Sequence, residues 1–138
     1  MMVREGMNAI VVTVGPDHTL REAARRMSQR NVGAAVVMDN EQSGPGIITE
    51  RDLLRSAGRD EDLDTERVGD HLASHLIYAY ADWSLETAAE KMTVGGFRHV
   101  IVINATGDPI GILSMRDIVR CWTSAGASGG MPPEAATA

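Results

Sequence analysis

The chain repeats itself at an offset of 65 residues without a gap, and this periodicity limits its fold more than any other feature. Gly46-Ile47-Ile48-Thr49-Glu50-Arg51-Asp52 returns as Gly111-Ile112-Leu113-Ser114-Met115-Arg116-Asp117. The same shift carries Leu20, Ala23, Ala24 and Met27 onto Leu85, Ala88, Ala89 and Met92. It also carries Val3 onto Val68, Asp17 onto Asp82 and Arg55 onto Arg120. Each copy covers about 53 residues, 3–55 and then 68–120. A unit that short is marginal alone, so the copies are expected to share one hydrophobic interior. Packed together, they must form paired, quasi-symmetric grooves.

Aromatic residues are few (Phe97, Tyr78, Tyr80, Trp83 and Trp122), so the interior has to come from Val, Ile, Leu, Ala and Met, which suits helices lying on sheets. The formal net charge of −6 argues against a nucleic-acid partner, because a phosphate polyanion needs a basic surface. No apolar run approaches the ~18 residues of a membrane helix. The first residues do not have the apolar stretch of a signal peptide. Cys121 is the single cysteine, so no intrachain disulfide is possible, and a lone thiol fits a reducing compartment. A cytoplasmic location and no membrane contact are therefore expected. Residues 124–138, rich in Gly, Ala, Ser and Pro, read as a flexible tail.

The β-branched run at residues 10–14 predicts a strand that ends at Gly15-Pro16. Thr19 and Glu22 have capping-box spacing, and Leu20, Ala23, Ala24 and Met27 then form one apolar helical stripe. Arg21, Arg25, Arg26 and Arg30 fall on the other faces, as a solvated surface or as a site for an acidic partner. Residues 34–38 and 46–48 read as strands around a polar loop, and Thr49 opens a helix. The second copy follows suit: strands at 76–80, 99–103 and 110–113, with helices opening at Ser84 and Ser114. The charged stretch 59–66 between the copies reads as a solvated connector. The expected partition is a first repeat at 1–62, a second at 63–123 and the tail.

The segment Gly-apolar-apolar-Thr/Ser-x-Arg-Asp falls twice on a strand-to-helix junction. Thr49 with Asp52, and Ser114 with Asp117, have the spacing of an N-cap and its third-position partner, so a capping box alone accounts for both copies. A second reading uses the same place differently. Free N–H groups and partial positive charge at a helix start favour a phosphate. Arg51 and Arg116 offer guanidinium forks for its oxygens, and Asp52 and Asp117 accept hydroxyl protons such as those of a ribose.

The repeat order and the doubled motif resemble the tandem cystathionine-β-synthase domain pair, or Bateman module, over residues 3–120. The resemblance implies an α/β (α+β) fold of two βαββα repeats related by a pseudo-twofold axis, with their sheets facing each other. It also implies two clefts for adenosine-containing ligands such as AMP, ADP, ATP, NAD or S-adenosylmethionine. By the same resemblance Asp52 and Asp117 hold ribose hydroxyls, and Thr49 and Ser114 lie near ribose and phosphate. Residues 12–16 and 77–82, with Val14, Pro16 and Tyr80 among them, flank the base, while residues 35–37 and 100–102, with Ala35 and Val100, form apolar walls. The family often has a proline in that last strand, where this chain has Val36 and Ile101. The copies also differ. Arg98-His99, a basic pair near phosphates, stands where the first copy has Gly33-Ala34, and Tyr78 and Tyr80 replace Thr13 and Gly15. Unequal clefts follow, with the tyrosines either stacking on a ligand or filling the second pocket.

His71 and His75 have the spacing of a helical metal pair, but no third ligand accompanies them, and the offset puts His75 at a strand start. No metal and no cofactor are therefore expected. No nucleophile–base set recurs, so the chain is not read as an enzyme. The function expected is a regulatory module sensing an adenylate. The alternative is a ligand-free structural or protein-interaction (dimerisation) module that serves an unknown protein partner. A homodimer is expected, with Trp122 and Ile118-Val119 as its candidate surface.

Overall fold

The apolar runs form two three-stranded sheets of the same design. In the computed structural model, which describes residues 1–10, 12–39, 44–72 and 78–124, β1 (Thr13–Val14) pairs parallel with β2 (Ala34–Val37), and β2 pairs antiparallel with β3 (Gly46–Thr49). The second sheet repeats this with β4 (Tyr78–Tyr80), β5 (His99–Ile103) and β6 (Pro109–Ser114). Even the register survives the offset: Ala35 opposite Ile48 returns as Val100 opposite Leu113, and Val36 opposite Ile47 returns as Ile101 opposite Ile112. Parallel neighbours need a crossover. The amphipathic helices α2 (Leu20–Arg30) and α4 (Leu85–Gly95) supply it. Thr19 Oγ1 accepts the Glu22 N–H and Ser84 Oγ accepts the Thr87 N–H at their starts. Left-handed Asn31 (φ 58°) and Gly96 (φ 73°), again 65 apart, stop them. Glu22 does not complete a capping box; its carboxylate binds Arg25 and Arg26. Arg21 pairs with Asp64, so most of the basic face is satisfied within the chain. The helices α3 (Glu50–Gly58) and α5 (Met115–Ser124) follow the third strand of each sheet.

One shared interior was expected; the apolar residues instead divide into three clusters. Leu20, Ala23, Met27, Ala35, Val37 and Ile48 fill one lobe. Leu85, Ala88, Met92, Val100, Val102, Leu113 and Ile118 fill the other. A smaller group, Ala34, Ile47 and Ile101 with Tyr78, Ile103 and Ile112, joins the two sheets. Strand alternation is the cause: Ala35 and Ile48 face their own helices, and their neighbours Ala34 and Ile47 face the opposite sheet. Tyr78 reinforces the junction by donating its hydroxyl proton to the Pro45 carbonyl across the repeats, 2.7 Å away.

The lobes do not coincide with the copies read along the chain. The short helix α1 (Val3–Gly6) packs on the second lobe, and Val3 is fully buried in its core. The 3₁₀ turn Val68–His71 packs on the first, with Val68 buried there. Matching hydrogen bonds hold both leaders. Val3 N–H donates to the Trp83 carbonyl as Val68 N–H does to His18. Arg4 N–H donates to Ala81 as Gly69 N–H does to Pro16. Each lobe thus borrows the opening segment of the other copy.

This exchange explains the glycine of the repeated motif. A Cβ on Gly111 would lie 2.9 Å from the Asn8 carbonyl oxygen and 2.8 Å from Met7 Sδ. On Gly46 its tightest contact would be a Leu72 methyl at 3.3 Å, with the other Leu72 methyl and Val37 Cβ at an ordinary 3.7 Å. Met7 and Leu72 are again equivalent positions. Gly111→Ala is therefore expected to destabilise the protein by about 1–3 kcal/mol, the usual range for overpacking. Gly46→Ala should cost less than half as much, because a leucine side chain can rotate. Urea unfolding of both variants checks the order.

Two further expectations change. The connector does more than separate the copies: Leu63 packs on the first core, and the Leu63 and Glu66 carbonyls accept the Arg21 and Leu20 N–H groups at the start of α2. Ile118 is not surface; it is 1% exposed inside the second core. Its neighbours Val119 and Trp122 remain exposed, and Cys121 is half-buried against the same core. Among the described residues no helix is long and apolar enough to cross a membrane. Val11, residues 40–43, residues 73–77 with His75 and Ile77, and the tail from 125 lie outside the described residues, so the readings placed on them stand as expectations.

Candidate ligand-binding clefts

Both motifs form complete capping boxes. Asp52 Oδ2 accepts the Thr49 N–H at 2.8 Å and the Thr49 hydroxyl at 2.9 Å, and Thr49 Oγ1 accepts the Asp52 N–H in return. Asp117 Oδ2 does the same with Ser114, at 2.9 and 2.7 Å. The cap uses one oxygen of each carboxylate. Among the described residues no hydrogen bond reaches Asp52 Oδ1, and Asp117 Oδ1 faces Arg120 at 3.4 Å. Capping and ligand contact are therefore compatible at one side chain. The copies differ in burial: Asp117 is 5% exposed, and Asp52 is only half-buried.

Each motif faces the helix-to-strand junction of the other repeat. The first cleft, about 270 Å³, holds Thr49, Arg51, Asp52 and Arg55 opposite residues 95–101, including Arg98, His99 and Val100. The second, about 570 Å³, holds Ser114, Arg116, Asp117 and Arg120 opposite residues 31–34. The offset relates these walls position by position. Arg98 and His99 stand directly opposite the first motif, and small Gly33 and Ala34 occupy the equivalent place opposite the second. Small-molecule sites run to ~300–1,000 Å³, so the second cleft is the roomier candidate. The clefts are unequal, as the sequence suggested, but the bulky basic pair stands against the first motif and not only its own.

Glu50, Arg98 and His99 line both clefts. Burial holds the His99 imidazole below its ordinary range, against the opposing pull of Glu50 and Asp117, so it is neutral near pH 7. The positive charge in the clefts therefore comes from arginine.

Of the residues proposed from sequence, the structure gathers Thr49, Arg51, Asp52, Arg98, His99 and Val100 in one cleft and Ser114, Arg116, Asp117, Arg98 and His99 in the other. It brings Val14, Pro16, Ala35 and Tyr80 to neither. Val14 and Ala35 are buried in the first core. Pro16 lies against Gly69. Tyr80 is exposed and packs edge-on against Trp83, 5.8 Å between ring centres, so neither tyrosine fills a cleft. Sequence reasoning missed Glu50, Arg55, Arg120 and Asn31. Arg55 and Arg120 carried a usable signal, since they sit one helical turn beyond the motif in both copies.

Stacked repeats with two quasi-equivalent clefts, each built from one copy's capped carboxylate and the other copy's wall, define a paired-domain module. The chain belongs to the CBS domain family, which matches residues 3–59 and 68–123. It is 36% identical over 111 residues to an uncharacterised 17.7 kDa protein of Acidianus ambivalens, covering 80% of this chain and 66% of that protein. The chain thus spans just under two thirds of that relative, and 57% of an uncharacterised Methanopyrus kandleri relative. Among solved structures, a CBS domain protein of Pyrobaculum aerophilum complexed with AMP superposes with a TM-score of 0.76 at 31% identity, covering 85% of this chain and 89% of that one. The CBS domain pair of protein MJ0100, in complex with 5′-methylthioadenosine and S-adenosyl-L-methionine, shares the fold at a TM-score of 0.80 and 20% identity, covering 91% of this chain and 98% of that one.

Proposed function

We propose that this chain is a regulatory module that binds an adenosine-containing ligand in the clefts between its repeats, with the second cleft as the principal site. The observation that carries this reading is the placement of each motif carboxylate, with one oxygen committed to the helix cap, at a helix start beside two arginines of its own helix and Arg98 of the shared wall. Ribose hydroxyls suit the second carboxylate oxygen, and phosphate suits Arg116, Arg120 and Arg98. The AMP complex of the Pyrobaculum relative supports the ligand class. The role is regulatory and not catalytic, and a cytoplasmic location without membrane or nucleic-acid partners fits the charge and composition. Calorimetry with AMP, ADP, ATP, NAD and S-adenosylmethionine tests it. At least one should bind, and its 2′-deoxy form should bind about tenfold more weakly, as the loss of one hydrogen bond to a charged group requires. Equal affinity for the two forms would remove the carboxylates from the site.

One observation favours a second reading, a ligand-free structural module: the capping boxes are complete as they stand. If none of these adenine compounds raises the melting temperature, that reading holds.

The same surface logic supports a homodimer. Leu54 and Val119, 65 residues apart, are 72% and 55% exposed on α3 and α5, and Trp122 adds to the second. Equivalent apolar positions on two helices suit a twofold self-contact. Light scattering should give twice the monomer mass, and Leu54→Glu with Val119→Glu should halve it.

A further inference from the structure

The connector carries a cluster that the ligand-binding reading does not use. Glu61, Glu66 and His71 each present one donor atom, and these atoms all lie within 4.8 Å of one another. His71 Nε2 is 2.8 Å from Glu66 Oε1. The group is sheltered: the His71 side chain is 12% exposed and that of Glu66 31%. Glu61 Oε1 is closed off from solvent and has no hydrogen-bond partner among the described residues. Neither glutamate forms an ion pair with a described Lys or Arg; Arg67, next in sequence to Glu66, turns away to the Asp17 carbonyl. Two sheltered carboxylates meet one imidazole with no described Lys or Arg beside them, and the Glu61 oxygen is left without a partner, which is costly away from water.

The backbone holds the three residues independently. Glu61 N–H donates to the Ser56 carbonyl at the end of α3. The Glu66 carbonyl accepts from Leu20 at the start of α2. His71 ends the 3₁₀ turn that seats Val68 in the first core. Such convergence is preorganised rather than a chance meeting of mobile side chains.

We infer that Glu61, Glu66 and His71 bind a divalent transition metal ion of the zinc type, which ties the end of α3 to the exchanged leader of the first lobe. One imidazole nitrogen with two carboxylate oxygens is a three-ligand set that zinc accepts, leaving a position for water. Magnesium and calcium prefer all-oxygen sites. The second lobe has no counterpart, because the repeat puts Met1 and Gly6 where the first lobe has Glu66 and His71. The sequence pointed to His71; His75 lies outside the described residues, and the two glutamates went unread because no helix would bring their spacings together.

The test uses the full chain, stripped with chelator and returned to ZnCl₂ or MgCl₂. Calorimetry should show one zinc ion per chain. The melting temperature should rise by about 5–10 °C at a hundredfold excess over the dissociation constant. Glu61→Gln and His71→Gln should each weaken zinc by at least about tenfold, the scale seen even for residues that only support a ligand. Glu61→Gln also guards against misfolding: without metal it should melt no lower than the wild type, because it removes an unpartnered charge. Cys121→Ser should keep the full zinc response. The inference is overturned by no zinc heat, by an equal response to magnesium, by an unchanged zinc response in Glu61→Gln or His71→Gln, or by loss of the response in Cys121→Ser.

Discussion

Removing residues 1–7 is expected to unfold the second lobe, although by sequence those residues open the first copy. The segment buries Val3 completely, half-buries Met7, and joins the second lobe through the Val3-to-Trp83, Arg4-to-Ala81 and Leu85-to-Met1 hydrogen bonds. Burying one valine contributes about 1.5–3 kcal/mol, and each hydrogen bond about 1 kcal/mol. The loss, about 5 kcal/mol, is comparable to the whole stability of many domains, about 5–15 kcal/mol. The melting temperature should fall by about 10–20 °C for a chain of this size. Hydrogen exchange should accelerate first in α4, β5 and β6. An unchanged melting temperature, or loosening confined to α2 and β2, would show that the leader does not belong to the second lobe.

Asp117→Ala should destabilise the protein more than Asp52→Ala and should also abolish tight adenylate binding. Both substitutions remove the third-position half of a capping box and leave the Thr49 or Ser114 hydroxyl cap in place, so the capping loss is no more than about 1 kcal/mol. In the second motif the carboxylate is nearly buried, so the Ser114 N–H and hydroxyl lose their acceptor where water cannot easily replace it. An unsatisfied buried group adds about 1–3 kcal/mol. Asp117→Ala should thus lose about 2–4 kcal/mol and Asp52→Ala about 1 kcal/mol in urea unfolding. The ion pair with Arg120 adds little, since Arg120 is 62% exposed. Equal losses would refute the burial argument. For binding, Asp117→Ala should weaken the preferred adenylate more than tenfold. Full affinity in a folded Asp117→Ala variant would mean that the carboxylate is a cap and nothing else.

Much of the fold was legible because its signals are local. The stripe Leu20-Ala23-Met27 and the caps Thr19 and Ser84 specify helices through hydrogen bonds and contacts within a few residues. The runs at 34–37 and 99–103 specify strands by composition alone. Within the clefts, Thr49, Asp52, Ser114 and Asp117 were found because their spacing has a local meaning as a cap. The walls were read less well. Val14, Pro16, Ala35 and Tyr80 were placed by resemblance and line neither cleft: Val14 and Ala35 pack in the first core, Pro16 lies against Gly69, and Tyr80 packs on Trp83. Glu50 and Asn31 were missed because they enter the clefts only when the two repeats stack.

By itself the chain determined that two copies exist, which strands and long helices they contain, and that a capped carboxylate opens α3 and α5. Those properties depend on propensity, alternation and short-range hydrogen bonds, and the offset of 65 residues states them twice. Only the tertiary structure decided that Val3 and Val68 would cross to opposite lobes, that Gly111 must lack a side chain, and that each motif would face the other copy's wall. Contacts between residues 60 or more positions apart depend on how the two sheets stack, and no local pattern encodes that arrangement.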